Sequence, residues 1–173
     1  MKKKIIISLI LCLLFITGCG KTGKGNCTSL ECIKDLKPEY KVEEINEVIG
    51  FEGELIDEKN NMYTWEIEDN NKINATYYNS DKAIIEAQYN IADLKDDKVD
   101  FSSYDEIQDL LKKGKSLTYE EFNEKVKSEG HLYSIGEKNK KYIWVNKDGE
   151  YINANFSTKT NKCTFVTGKM TSN

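Results

Sequence analysis

Arginine is absent from this 173-residue chain, and histidine occurs once, as His131. Without arginine there is no bidentate guanidinium fork to read guanine or to clamp phosphate and carboxylate. With one imidazole there is little room for a nucleophilic triad or a histidine-rich metal centre. No C-x-x-C is present, so redox catalysis and a zinc cluster have no support, and no cofactor is expected. The longest apolar run, Ile5 to Ile16, has twelve residues. Spanning a hydrocarbon core of about 30 Å takes about 20, so nothing here crosses a bilayer as a helix. Gly23-Lys24-Gly25 lacks the spacing of a phosphate-binding loop. Asp93-x-x-Asp96-Asp97-x-x-Asp100 lacks the glycine and distal glutamate of an EF-hand and reads as a solvated charged linker.

The N-terminus is more informative. Lys2, Lys3 and Lys4 precede the apolar run, which closes on Ile16-Thr17-Gly18-Cys19. A basic n-region, a short h-region and small residues before a cleavage site mark a secretory signal peptide over 1–18. The cysteine directly after Thr-Gly resembles a bacterial lipobox, which implies a diacylglyceryl group on Cys19. Two acyl chains anchor stably, at about 0.8 kcal/mol per buried CH₂. The expected location is the extracytoplasmic face of the cell membrane. Loss of the leader leaves 22 basic and 29 acidic residues, a net charge of about −7. Such a surface repels polyphosphate, and nucleic acid is excluded as a partner.

Cys12 leaves with the leader and Cys19 carries the lipid, so Cys27, Cys32 and Cys163 remain. Export permits disulfides. Cys27 and Cys32 either bridge, with the chain bending at Thr28 because a regular helix holds them too far apart, or stay reduced. Cys163 is the odd cysteine.

The body repeats itself. Val42-Glu43-Glu44-Ile45-Asn46-Glu47 corresponds to Tyr119-Glu120-Glu121-Phe122-Asn123-Glu124, and Glu52-Gly53-x-Leu55 to Glu129-Gly130-x-Leu132. Tyr63-x-Trp65 then matches Tyr142-x-Trp144, and Ile73-Asn74-Ala75 matches Ile152-Asn153-Ala154, so the two tryptophans fall in register. Thr28-x-x-Glu31, Ser103-x-x-Glu106 and Thr118-x-x-Glu121 are capping-box patterns. Behind them Leu30/Ile33/Leu36, Val42/Ile45/Ile49, Tyr104/Ile107/Leu111 and Tyr119/Phe122/Val126 recur at helical spacing. Gly50 or Gly53, and Gly130, are placed to end the second helices. Period-two strands follow, with Asp148-Gly149 as a two-residue hairpin signal and Glu68-Asp69-Asn70-Asn71 as its weaker partner. The expected class is α+β, built of two tandem repeats, each with two helices on an antiparallel sheet of about four strands. The layout is a tether over 19–26, one repeat over 27–90, a linker over 91–102 and a second repeat over 103–170.

Glu43-Glu44-Ile45, Ile49-Gly50, Glu52-Gly53, Tyr63-x-Trp65 and their second-copy equivalents resemble the β-lactamase-inhibitor-protein-like fold. The pattern resembles especially the lipoproteins of low-GC Gram-positive bacteria that carry this fold in tandem. In the true inhibitors the two sheets form a concave saddle, and an acidic residue on a first-repeat hairpin enters the target enzyme; by position that residue is Asp69. The matching second-repeat hairpin of the inhibitors carries an aromatic. Here Lys147-Asp148-Gly149-Glu150 has none, which counts against β-lactamase inhibition.

Strand alternation sends Tyr63, Trp65, Tyr77, Tyr142, Trp144 and Phe156 towards the helices. It sends Thr64, Glu66, Asn74, Thr76 and Tyr78 to the opposite face, together with Tyr133, Ile143, Val145, Tyr151, Asn153 and Phe165. A water-facing sheet side is mainly polar, and an apolar, aromatic one marks an interaction surface unless the linker or the other sheet covers it. The leading expectation is therefore a non-catalytic lipoprotein that binds a protein or peptide through this face, with Tyr78, Tyr133, Ile143, Val145, Tyr151 and Phe165 as candidate contacts. An envelope-assembly scaffold is the alternative. His131 is expected to be an ordinary rim residue.

Overall fold

Ile85 lies opposite Ile135 across an antiparallel strand pair, and this pairing decides the architecture. The computed structural model describes residues 27–67, 70–78 and 80–169; the leader, Cys19, the tether, Asp69 and residue 170 lie outside the described residues. The strands are β1 (Glu54–Asp57), β2 (Met62–Glu66), β3 (Lys72–Thr76), β4 (Ile84–Gln88), β5 (Lys95–Asp96), β6 (His131–Ile135), β7 (Asn139–Asn146), β8 (Tyr151–Ser157) and β9 (Cys163–Lys169). They form one nine-stranded sheet in the order β1-β2-β3-β4-β6-β7-β8-β9, with β5 set against β7. All pairs are antiparallel except β5 with β7, which is parallel.

The expectation of two repeats, each with two helices on its own four-stranded sheet, is overturned by that continuity. The outer edge of β4 is not a boundary but the seat of β6. The core shows the same thing: Leu132 and Ile135 of β6 pack with Leu30, Ile33, Ile45 and Trp65 from the N-terminal half. A second cluster holds Ile107, Phe122, Trp144, Ile152 and Phe156. Burying such side chains stabilises by about 1.5–3 kcal/mol each.

The helices also differ from expectation. Leu30–Asp35 is a 3₁₀ helix. Its buried positions Leu30, Ile33 and Leu36 step by three, which suits three residues per turn better than 3.6. Thr28 caps nothing there; the N-cap is Ser29, without a side-chain bond. The helices α1 (Val42–Ile49), α2 (Tyr104–Lys112) and α3 (Tyr119–Val126) are α-helical. Thr118 and Glu121 form the reciprocal capping box at α3, whereas Ser103 begins α2 without one. Gly50 ends α1 at φ 99°. At the corresponding end of α3 it is Lys127, not Gly130, that turns left-handed, at φ 59°.

The β7–β8 connection is also longer than the two-residue turn that Asp148-Gly149 suggests. The strands stop at Asn146 and resume at Tyr151. The Asn146 carboxamide oxygen accepts from the amides of Asp148 and Glu150, both at 3.0 Å, and Gly149 supplies the positive φ of 84°. An asparagine that bonds the backbone ahead of it mimics a turn and sets the wider loop.

Candidate functional site

Side chains on the helix-free face of the sheet form a cross-strand row, Glu54, Thr64, Asn74, Glu86, Ser134, Lys141, Asn155 and Phe165, each opposite the next. Thr64, Asn74 and Ser134 in it are polar yet buried, whereas Glu86 between the last two is exposed, and among the described residues Thr64 Oγ1 has no hydrogen-bond partner. Two hollows flank this row.

The first is the aromatic one. Tyr89, Ile91, Leu94, Tyr133, Ile143 and Tyr151 line a cleft of about 370 Å³, with Gln88 and Asn153 at its polar side. Tyr133, Ile143 and Tyr151, which alternation sets on one face, all line it. The linker supplies the remaining wall. Ile91–Leu94 forms a 3₁₀ turn capped by the Asn90 side chain, and Leu94 buries itself on Ile143 and Val145. β5 then continues along β7 where β6 has ended, with Lys95 opposite Val145. Val145 is consequently fully buried and Ile143 nearly so; Ile143 is floor of the cleft, and the expected contact Val145 lies beneath Leu94 outside it. The linker is thus structured and not only a solvated charged segment. Its acids tie it to the end of α3: Asp96 accepts from the Ser128 hydroxyl as well as the Lys98 amide, and Asp100 pairs with Lys127 at 2.5 Å.

Tyr89 is held by its hydroxyl, which donates to the Leu132 carbonyl at 2.9 Å. Burial pushes its phenol well above the usual tyrosine range, and burial beside Glu86 raises that of Tyr133 as well. Both are neutral at physiological pH and present apolar rings with a polar tip. Sequence reading missed Tyr89, Ile91 and Leu94. The available signal was the three-residue step from Ile91 to Leu94 inside an otherwise charged stretch.

The second hollow, about 330 Å³, lies around Tyr78, Ile84, Ser134, Gly136 and Lys141. Tyr78 is highly exposed at its rim. Lys82 there is paired with Glu137 at 2.5 Å, and Lys141 stands 4.0 Å from Glu86. Phe165, also exposed, belongs to neither hollow. The expected contacts therefore fall into separate places: Tyr133 and Tyr151 at one cleft, Tyr78 at another, Phe165 alone on β9.

Cys27 and Cys32 are bonded to one another, with Cα atoms 5.8 Å apart. The 3₁₀ helix begins only at Leu30, and the Cys27 amide donates to the Ile49 carbonyl at 3.1 Å, which draws the segment back to α1. Cys163 is free and buried, and burial pushes its thiol up to about 11. His131 opens β6 opposite Ile143, its Nδ1 3.7 Å from Glu31. Among the described residues no group of three or more His, Cys, Asp or Glu is placed to hold a metal ion.

Comparison with protein-family models, with curated proteins and with solved structures returned no match.

Proposed function

We propose that this chain is a membrane-anchored surface lipoprotein that binds a protein or peptide through the helix-free face of its sheet, without catalysis. The observation that carries this reading is the tyrosine cleft. Three tyrosines converge there over an apolar floor of Leu94 and Ile143, with Ile91 exposed at the rim. Tyrosine supplies large contact area at low entropic cost, and buried aromatic anchors in pockets dominate protein recognition. A volume of about 370 Å³ admits one large side chain of a partner. Anchoring through Cys19 would present this face beside the membrane and raise its effective concentration towards other surface components.

Crosslinking on intact cells followed by identification of the captured protein tests the reading. Tyr133→Ala and Tyr151→Ala should each reduce capture by about tenfold or more, as truncation of an aromatic anchor does. Phe165→Ala, outside the cleft, should reduce it less. Capture unaffected by both tyrosine substitutions sinks the cleft as the binding site.

A further inference from the structure

We propose that the two outer edges of the sheet are complementary, and that β9 of one copy receives β1 of a second copy, repeating between molecules the β4–β6 joint found within one. The inference is independent of the tyrosine cleft. It rests on three pairs of positions.

First, β1 and β6 are built alike. β1 sets Glu54 opposite Thr64 and Leu55 opposite Tyr63, then skips Ile56 and sets Asp57 opposite Met62. β6 sets His131 opposite Ile143 and Leu132 opposite Tyr142, then skips Tyr133 and sets Ser134 opposite Lys141. A bulge usually blunts an edge strand against pairing. Here the same bulge in β6 does not prevent β4 from joining it, so the bulge in β1 is no barrier.

Second, β4 and β9 are built alike. Ile85 and Ala87 face Ala75 and Ile73, as Val166 and Gly168 face Ala154 and Ile152. The outer edge of β4 is filled by β6, whereas beyond β9 only Leu117 and Thr118 bridge its start, at Cys163 and Lys162, and no strand lies beyond residues 166–169 among the described residues.

Third, the burial is unequal in the way a missing neighbour would leave it. Leu132, covered at the internal joint, is 2% exposed, whereas its counterpart Leu55 is 42% exposed. Ile56 in the same strand and Phe51 just before it are exposed as well. Charge favours the same pairing: Glu54, Asp57 and Glu58 lie in or next to β1, while β9 has no acid and is bracketed by Lys162 and Lys169. Carrying the internal register across sets Thr167 opposite Asp57 of the next copy, as Glu86 is opposite Ser134. Because the two edges differ, the contact is heterologous and generates chains of copies rather than a closed pair.

The test uses the full chain in intact cells. With Asp57→Cys and Thr167→Cys combined in one chain, mild oxidation should give a ladder of disulfide-linked multimers on a non-reducing gel. Co-expression of the two single variants should stop at dimers, and neither single variant alone should exceed the parent background. A photoreactive benzoylphenylalanine at position 55, already exposed in the native fold, gives a readout that does not depend on Asp57, whose carboxylate accepts from the amides of Lys59 and Asn60. It should capture a second copy at β9 or at α2, which packs against β9. The proposal is overturned if neither probe yields a covalent multimer, if Asp57→Cys alone dimerises, or if position 55 captures its own counterpart or a different protein.

Discussion

Trp65 donates its indole N–H to the carboxamide oxygen of Asn46 at 2.8 Å, and the same oxygen accepts the Gly53 amide at 3.0 Å. One side chain on α1 thereby fixes both the central tryptophan of the first core and the loop entering β1. In the second half Asn123 accepts from Trp144 at 3.2 Å, but Trp144 has a second acceptor in the Ser128 carbonyl at 3.1 Å. The two arrangements look alike and differ in redundancy.

Asn46→Ala should therefore cost more than Asn123→Ala. The first leaves two donors without an acceptor, worth about 2 kcal/mol or more in total; the second leaves Trp144 its Ser128 bond, for a cost nearer about 1 kcal/mol. Denaturant unfolding of the two variants measures the gap. Equal costs would contradict the role given to the Ser128 carbonyl.

Gly53 and Gly130 are each packed face-on against a tryptophan. A Cβ at Gly130 would lie 2.5 Å from the Trp144 ring, and one at Gly53 would lie 2.7 Å from Trp65 Nε1. Both rings are fully buried and have no free side to move into. Gly53→Ala and Gly130→Ala should each destabilise by about 1–3 kcal/mol through overpacking, with a change in near-ultraviolet circular dichroism reporting the displaced indole.

The Cys27–Cys32 bond closes a short loop, for which the chain-entropy relation gives about 2 kcal/mol. Cys27→Ser with Cys32→Ser should lower the unfolding free energy by that order, and reductant should do the same to the parent chain. If reductant leaves the unfolding midpoint unchanged, the bond contributes no net stability.

Cys163 is predicted to resist alkylation. Its thiol is raised to about 11 by burial, and only the thiolate is a nucleophile. Raising the pKa on folding means that the associated stability is complete below the unfolded value near 9 and declines as pH climbs towards 11. Iodoacetamide should label the denatured chain quickly at pH 8 and the native chain slowly, and Cys163→Ala should flatten the alkaline fall in stability.

How much of this could be read from residues alone depended on distance along the chain. The register of Trp65 with Trp144, the helix-facing parity of Ile73, Ala75, Ile152 and Ala154, and the Thr118 cap were legible because period and capping are local signals. The pairing of β4 with β6 was not, because the 91–102 segment and two helices separate the partners and nothing in either strand names the other. The cleft was half legible for the same reason. Alternation placed Tyr133, Ile143 and Tyr151 on one face, but the wall contributed by Ile91 and Leu94 depends on where the linker folds back. Lys127 at a left-handed helix end was hidden because glycine is the usual signal, and the glycine three residues on serves tryptophan packing instead.

The placement of Leu132 and Ile135 in the N-terminal core has a consequence for the order of events in synthesis. Chains emerge N-terminus first, and segments that form complete units fold as they appear. The first ninety residues here are not such a unit. Ile33 and Ile85 remain without their partners on β6 until residue 135 has been made. The nascent chain must therefore keep an unfinished apolar surface and an open strand edge available while residues 89–135 are made. The first core closes when β6 arrives, and the second, which holds Trp144, Phe156 and Val166, only after β9 has been made.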